Sequence, residues 1–389
     1  MEVTFDVETR TVNKGNPFTA SGKLISYSVK VDSHPSAFHY HDELDFLEDI
    51  RAAMLQATLL IGFNIKFDLH WLSRYKIRPP DKCRVWDCQL AEFIITGQKG
   101  SYPSLDECCE KYGLGQKDDR IAQYWAMGID TPDIPREELG TYNNRDVELT
   151  YLLREAQLKV MTDKQIRLCM IMGLDLLVLQ EMEENGVKFD SELCKQKAIE
   201  AEVELKAITE ELLTYAPCPD INLDSGQQLS CLLYGGKIDI DYITEEETVY
   251  KSGPKKGTTY MKNIHNVVIY DCPKLFEPLP KSETKLKKKL GDEQITIYVT
   301  NEDTLKQLKA KDKWRKRLIE LLLKRAELAK LLDTYYGKLP ELLSKMEWGD
   351  YLHGQYNQCV AATGRLSSSA PNMQNFSGDV DKLLISRYP

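Results

Sequence analysis

Val3-Thr4-Phe5-Asp6-Val7-Glu8-Thr9, the stretch VTFDVET, alternates apolar Val3, Phe5 and Val7 with polar Thr4, Asp6 and Glu8. A period of two predicts a strand with one buried face. Side chains i and i+2 of a strand share a side, so Asp6 and Glu8 stand together beside a core made by Phe5 and Val7. Two such charges repel, and the pair must lie open to water, take up a proton or hold a cation between them. Alone, it reads as an ordinary solvated strand face.

Working outward, Lys23 to Val31 and Ser36 to His41 predict the next strands of the same sheet. Residues 43–56 show helical spacing at Leu44, Phe46, Leu47, Ile50 and Met54, residues 58–62 form a short buried strand, and a helix follows from Lys66 to Tyr75. Ser104 and Glu107 match a capping box, opening a helix that runs to Gly113. A long helix is predicted over 136–160, after Pro135 and with Glu137 and Glu138 in its first turn. A second spans 168–185 and stops at Gly186. Strands first, then helix alternating with strand, predict an α/β layer fold, with a domain boundary between the two long helices near residue 162. Residues 235–300 read as an insertion of turn residues and short alternating runs, including GPKKG at 253–257, and 303–345 return to helical periodicity.

At 389 residues the chain is long enough for two or three domains. Its net charge of −9 argues, taken whole, against a non-specific nucleic-acid or membrane-surface binder. The charge is uneven: residues 1–150 carry 17 basic against 24 acidic side chains, a net of −7, whereas Lys281 to Arg317 carry twelve against six, a net of +6. No run approaches the roughly 18 apolar residues of a membrane helix, and MEVTFDVETR lacks a signal-peptide pattern, so a soluble, cytoplasmic protein is expected. The ten cysteines are scattered without paired zinc spacing and read as reduced thiols.

Two further groups change the reading of Asp6 and Glu8. GFNIKFD, residues 62–68, puts an amide and an acid at the mouth of a strand-to-helix connection, where sites gather. Tyr142 and Asp146 are four apart in the long helix and share a face. Asp6, Glu8, Asp68 and Asp146 together make an oxygen-only acidic cluster suited to Mg²⁺ or Mn²⁺. FDVET, FNIKFD and YNNRD, in that order, resemble the three motifs of the DEDD exonucleases, tyrosine-bearing subclass. The resemblance covers residues 1 to about 160 and implies an RNase H-like fold, 3′-to-5′ exonuclease activity and two divalent ions. It further implies that Asp6 bridges both ions, Glu8 and Asp146 complete one site, Asp68 helps hold the other, and Tyr142 orients the attacking water. Asn64 and Phe67 would contact the terminal nucleotide, though Phe67 reads equally as a helix-packing residue. Two ions suit the reaction because a phosphodiester needs both a deprotonated water and a stabilised leaving oxygen.

The second half resembles the family A DNA polymerases, phage type. LQEMEENGV at 179–187 and INLDSGQQLSCLLYGG at 221–236 are similar to early motifs of the polymerase region, and ATGRLSSSAPNMQNF at 362–376 matches a longer one. Thr363, Arg365 and Ser367 offer donors to phosphates, while Asn372, Gln374 and Asn375 suit base edges in the minor groove. By resemblance Arg365 touches the primer end. The resemblance further implies a mainly helical thumb, whose basic residues 281–317 grip duplex DNA, then the start of a palm. It makes the 235–300 insertion a place where a processivity factor could bind. DNA is the implied partner, as a single-stranded 3′ end and as primer-template duplex. Since LLISRYP comes before any palm aspartate or fingers helix, templated addition is expected only with a C-terminal polymerase half. Two alternatives stand beside this reading: a free-standing DEDD nuclease of RNA-processing type, which the 362–376 motif opposes, and a non-catalytic DNA-binding subunit of a split polymerase.

Overall fold

VTFDVET lies in β1 (Glu2–Thr9), the middle strand of a five-stranded sheet. The structure, a computed structural model, describes residues 1–99, 103–115, 120–254, 257–290, 293–376 and 378–386. The other strands are β2 (Leu24–Val31), β3 (Ala37–Tyr40), β4 (Leu59–Gly62) and β5 (Arg84–Asp87), in the order β3-β2-β1-β4-β5. β1 runs antiparallel to β2 and parallel to β4. Helices α1 (Glu48–Gln56), α2 (Lys66–Arg74), α3 (Cys88–Ile95), α4 (Leu105–Tyr112), α5 (Arg120–Ala126), α6 (Arg136–Val160) and α7 (Asp163–Asn185) cover it. The alternation works as the sequence demands. Val3, Phe5 and Val7 pack with Ile50 and Met54 of α1 and Leu69 and Trp71 of α2, while Leu59, Ile61 and Trp86 pack with Phe93 of α3 and Leu149 and Leu153 of α6.

Three expectations shift. The helix predicted from residue 43 starts at Glu48, because Leu44 is left 98% exposed and residues 41–47 make turns instead. α7 starts at Asp163 rather than 168, drawn back by a capping box in which Thr162 Oγ1 accepts from Gln165 N–H and the Gln165 side chain accepts from Thr162 N–H. β5 and α3 were not expected: CQLAEFII is buried nearly all round and so lacks the polar face that marks a helix.

Packing divides the chain into residues 1–193 with 339–389, and residues 194–338. α7 rests on β5 and α3 and so shares their core within the first of these units. The first unit also holds β6 (Val187–Phe189), the C-terminal α-helix at Lys338–Met346, and four short strands. In the second unit, α8 (Ser191–Leu213) and α9 (Gly226–Tyr234) precede the stretch expected as an insertion. That stretch forms two antiparallel hairpins, β7 (Gly236–Val249) with β8 (Thr259–Cys272) and β9 (Glu283–Leu290) with β10 (Glu293–Tyr298). Lys255 and Lys256 of GPKKG lie outside the described residues. α10 (Glu302–Gln307), α11 (Lys313–Lys330) and α12, the Lys338–Met346 helix, divide the expected helical stretch, and β11 (Tyr351–Leu352), β12 (Gln355–Asn357), β13 (Ser367–Ser369) and β14 (Leu384–Ile385) follow. Residues 387–389 of LLISRYP are outside the description. All ten cysteines are free and buried.

Candidate active site

β1 pairs with β4 only from Glu2 to Thr4, since β4 ends at Gly62 and the chain turns into α2. The β1 edge beyond Thr4 therefore needs another acceptor. Asp68, in the first turn of α2, supplies it: its Oδ1 accepts from the Val7 N–H at 3.0 Å. This anchors Asp68 between the positions of Asp6 and Glu8. On the polar face of β1, opposite the side taken by Val3, Phe5 and Val7, α6 crosses with Tyr142, Asn143 and Asp146 buried. Asn143 Nδ2 donates to Asp6 Oδ2 at 2.7 Å. The Tyr142 hydroxyl donates to the Asp146 carboxylate, the pairing expected of positions four apart.

Asp68, 3% exposed, is pushed well above the ordinary carboxylate range, first by burial and then by the charge of Asp6. Tyr142 is pushed up as well, by burial and then by Glu8, Asp146 and Asp6. Segments of β1, α2 and α6 thus meet at one place.

Asn64 and Phe67 flank it differently. Asn64 is exposed and holds φ +56°, while Phe67 is partly buried against the β1 core, which gives it at least the packing role. The turn carrying Asn64 depends on a residue the sequence reading missed. Asp87, at the end of β5, accepts from the N–H groups of Asn64 and Ile65 at 3.1 Å each and from Gln89 and Leu90 at 2.8 and 3.3 Å, capping α3 and the site loop together. An aspartate just before an apolar run was the available signal. Asp87→Ala leaves four backbone donors without their acceptor, those of Ile65 and Leu90 buried, and is expected to lower the unfolding free energy by about 3 kcal/mol, read from urea titration.

The 362–376 residues sit on other elements. β12 and β13 form a hairpin, with Ser367 half-buried opposite Asn357 and Thr363, Arg365, Asn372, Gln374 and Asn375 exposed. Asn372 Oδ1 accepts from the Gln374 N–H and shapes the turn. Within the second unit, part of the expected basic grip is already engaged: Arg317 makes two bonds to Glu211, and Arg315 pairs with Asp312 at 2.5 Å. The side chains of Lys285 and residues 287–289 are outside the description, which leaves Lys281, Lys309, Lys311, Lys313 and Lys316 as the described cations of that segment without a pairing under 3.5 Å.

Among the described residues no three His, Cys, Asp or Glu side chains already converge as a metal-binding group. The donor chemistry nonetheless fits a hard divalent cation. Burial and then the charge of Asp6 raise the proton affinity of Asp68, and Asn143 Oδ1, beside Asp6, is buried without a hydrogen-bond partner.

Residues 1–162 match the family model described as 3′-5′ exonuclease, and residues 272–384 match DNA polymerase family A. The chain belongs to the family A DNA polymerases and carries their 3′-5′ exonuclease domain. DNA polymerase I of Synechocystis is 26% identical over 321 residues, covering 80% of this chain and 26% of that protein. The Pseudomonas aeruginosa DNA polymerase I is 23% identical over 396 residues, covering 96% and 36%. This family A chain therefore spans about a quarter to a third of the length of the curated relatives it matches. A solved structure, the POL domain of Pol1 from M. smegmatis in complex with DNA primer-template and dNTP, shares the fold at a TM-score of 0.62 and 17% identity, covering 98% of this chain and 53% of that one. Among the described residues no helix is long and apolar enough to cross a membrane.

Proposed function

We propose that residues 1–162 hydrolyse DNA from its 3′ end as a proofreading exonuclease, and that residues 163–389 are the N-terminal part of a polymerase region that holds primer-template duplex. The observation that carries the first part is the junction of β1, α2 and α6 within a matched exonuclease domain, where Asp68 accepts from the Val7 N–H beside Asp6 and Asn143 of α6 donates to Asp6. These four acids would hold two divalent ions, Mg²⁺ or Mn²⁺, which when bound supply an activated water and a stabilised leaving oxygen. Tyr142, its proton held by burial and then by the acids around it, stays a phenol at neutral pH and so orients a water by hydrogen bonding rather than acting as a base. Asn143 fixes the Asp6 carboxylate through its 2.7 Å bond. Asn64, on its exposed turn, and Phe67 would meet the terminal nucleotide.

In the second part, Thr363, Arg365, Ser367, Asn372, Gln374 and Asn375 would contact the duplex, an assignment supported by the exposure of all but the half-buried Ser367 along the β12–β13 hairpin and the turn that follows it. A processivity factor would find its place on the β7–β8 arm, where Ile243, Val267 and Ile269 are more than half exposed. The free thiols suit a cytoplasmic setting.

The test is degradation of a 3′-labelled single strand, DNA against RNA, with Mg²⁺ and with chelator. Release of labelled mononucleotide from DNA only with Mg²⁺ is expected. Cleavage restricted to RNA, or salt-sensitive binding with no cleavage, would overturn the reading.

A further inference from the structure

The part of α2 that carries Asp68 has a second, buried attachment on its far side. Lys66 and His70 are four apart and share one face, whereas Asp68, two residues from each, points the other way. That second face meets Glu183 of α7, a carboxylate only 2% exposed. Its Oε1 accepts from Lys66 Nζ at 2.6 Å and from the Tyr356 N–H at 2.6 Å, and its Oε2 lies 2.8 Å from His70 Nε2. Lys66 Nζ also donates to the Tyr356 carbonyl at 2.5 Å. The peptide donor and acceptor of one residue are thus both taken by a single buried ion pair. Burial opposes charge on Glu183, but the bonds from His70, Lys66 and Tyr356 outweigh it and hold the acid below the ordinary carboxylate range.

Tyr356 is the central residue of β12 and pairs with Ser368 of β13, whose Oγ accepts from the Met373 N–H. A continuous chain of bonds therefore runs from the β1 edge, through Asp68 and one turn of α2, across Glu183, to the hairpin and the turn bearing Asn372, Gln374 and Asn375. Every member lies in the same compact unit.

We propose that the Lys66–Glu183 pair is a positioning device shared by two activities: it seats α2 so that Asp68 meets Asp6, and it sets the hairpin that presents Arg365 and its neighbours to duplex DNA. The proposal rests on the reading above that Asp68 serves hydrolysis and residues 363–375 serve duplex binding. Neither Lys66 nor Glu183 touches the reacting atoms; each acts through another residue. A bond network that merely filled the core would affect stability alone, whereas this one should move both activities together.

The experiment uses the full chain and compares Glu183→Gln, Lys66→Met and the double variant. Glu183→Gln keeps an acceptor for the Tyr356 N–H and is the variant expected to fold; Glu183→Ala would strand three buried partners. Expected for Glu183→Gln are roughly tenfold or greater loss in the maximal rate of single-strand hydrolysis at saturating Mg²⁺, a higher Mg²⁺ half-saturation, and several-fold weaker binding of a primer-template duplex in chelator, by the scale seen when residues supporting metal ligands are removed. The double variant should lose little more than either single one, because the two side chains act as a unit. Near-wild-type rate and binding in a folded Glu183→Gln protein would overturn the proposal, as would a change in only one activity or in melting temperature alone. If the wild-type chain shows no Mg²⁺-dependent hydrolysis, it is the functional reading that has failed.

Discussion

Asp68→Asn is expected to abolish Mg²⁺-dependent hydrolysis of a DNA 3′ end and, at the same time, to raise the melting temperature of the metal-free protein. The two effects have one cause. Asparagine keeps an oxygen to accept from the Val7 N–H, a bond of 3.0 Å in the native site, so the α2–β1 junction survives. What disappears is a charge that burial and Asp6 both disfavour. Because the folded state raises this group's proton affinity above its unfolded value, the neutral form favours folding and the ionised form at neutral pH opposes it. Removing the charge should stabilise the protein by about 1 kcal/mol or more, a shift of roughly 2–4 °C per kcal/mol for a unit of this size. The rate should fall roughly a thousandfold, the equivalent of about 4 kcal/mol of lost transition-state stabilisation. Asp6→Ala should lose activity to a similar extent, but without comparable stabilisation, since it takes the acceptor from Asn143 Nδ2. Thermal melting without divalent ion and initial rates with Mg²⁺ decide it. A less stable Asp68→Asn protein that still cleaves would remove Asp68 from the site.

Much of this arrangement was legible because period and position carry it. The alternation in VTFDVET fixes which face of β1 is apolar, and hence that Asp6 and Glu8 face α6 rather than α1; the spacing of Tyr142 and Asp146 fixes their shared side. What stayed hidden depends on partners distant in the chain. Asp87 looks like a lone acid in RVWD until the fold brings Asn64 and Ile65 to it across 23 and 22 residues. Glu183 sits among acids in QEMEEN and differs from Glu184 and Glu181 only in what it meets, Tyr356 being 173 residues away. α3 escaped notice for the opposite reason: burial on every side erases the periodicity that reveals a helix. The basic stretch 281–317 was visible as charge, but the ion pairs that commit Arg315 and Arg317 were not.

Gly173→Ala should destabilise the first unit severely, although glycine-to-alanine within a helix ordinarily stabilises by up to about 1 kcal/mol. Gly173 lies where α7 crosses β5. A Cβ built there falls 2.2 Å from the Val85 carbonyl oxygen and 3.1 Å from its carbon. Those are backbone atoms of a buried strand hydrogen-bonded to β4, so they cannot swing aside as a side chain would. The contrast is Gly140 in α6, whose Cβ would meet the ring of Phe38 at 2.9 Å; Phe38 is only partly buried and can rotate away. Gly173→Ala is therefore expected to cost about 3 kcal/mol, lowering the melting temperature by roughly 6–12 °C, and Gly140→Ala distinctly less. The sign alone discriminates, because a gain in stability at Gly173 would mean that α7 does not press on β5. Since Gly173 and Glu183 belong to the same helix, displacing α7 from the sheet also moves the carboxylate that holds Lys66 and Tyr356. Hydrolysis by the surviving folded fraction should fall with it, whereas Gly140→Ala, on the helix that carries Tyr142, should perturb the acidic face without loosening that clamp.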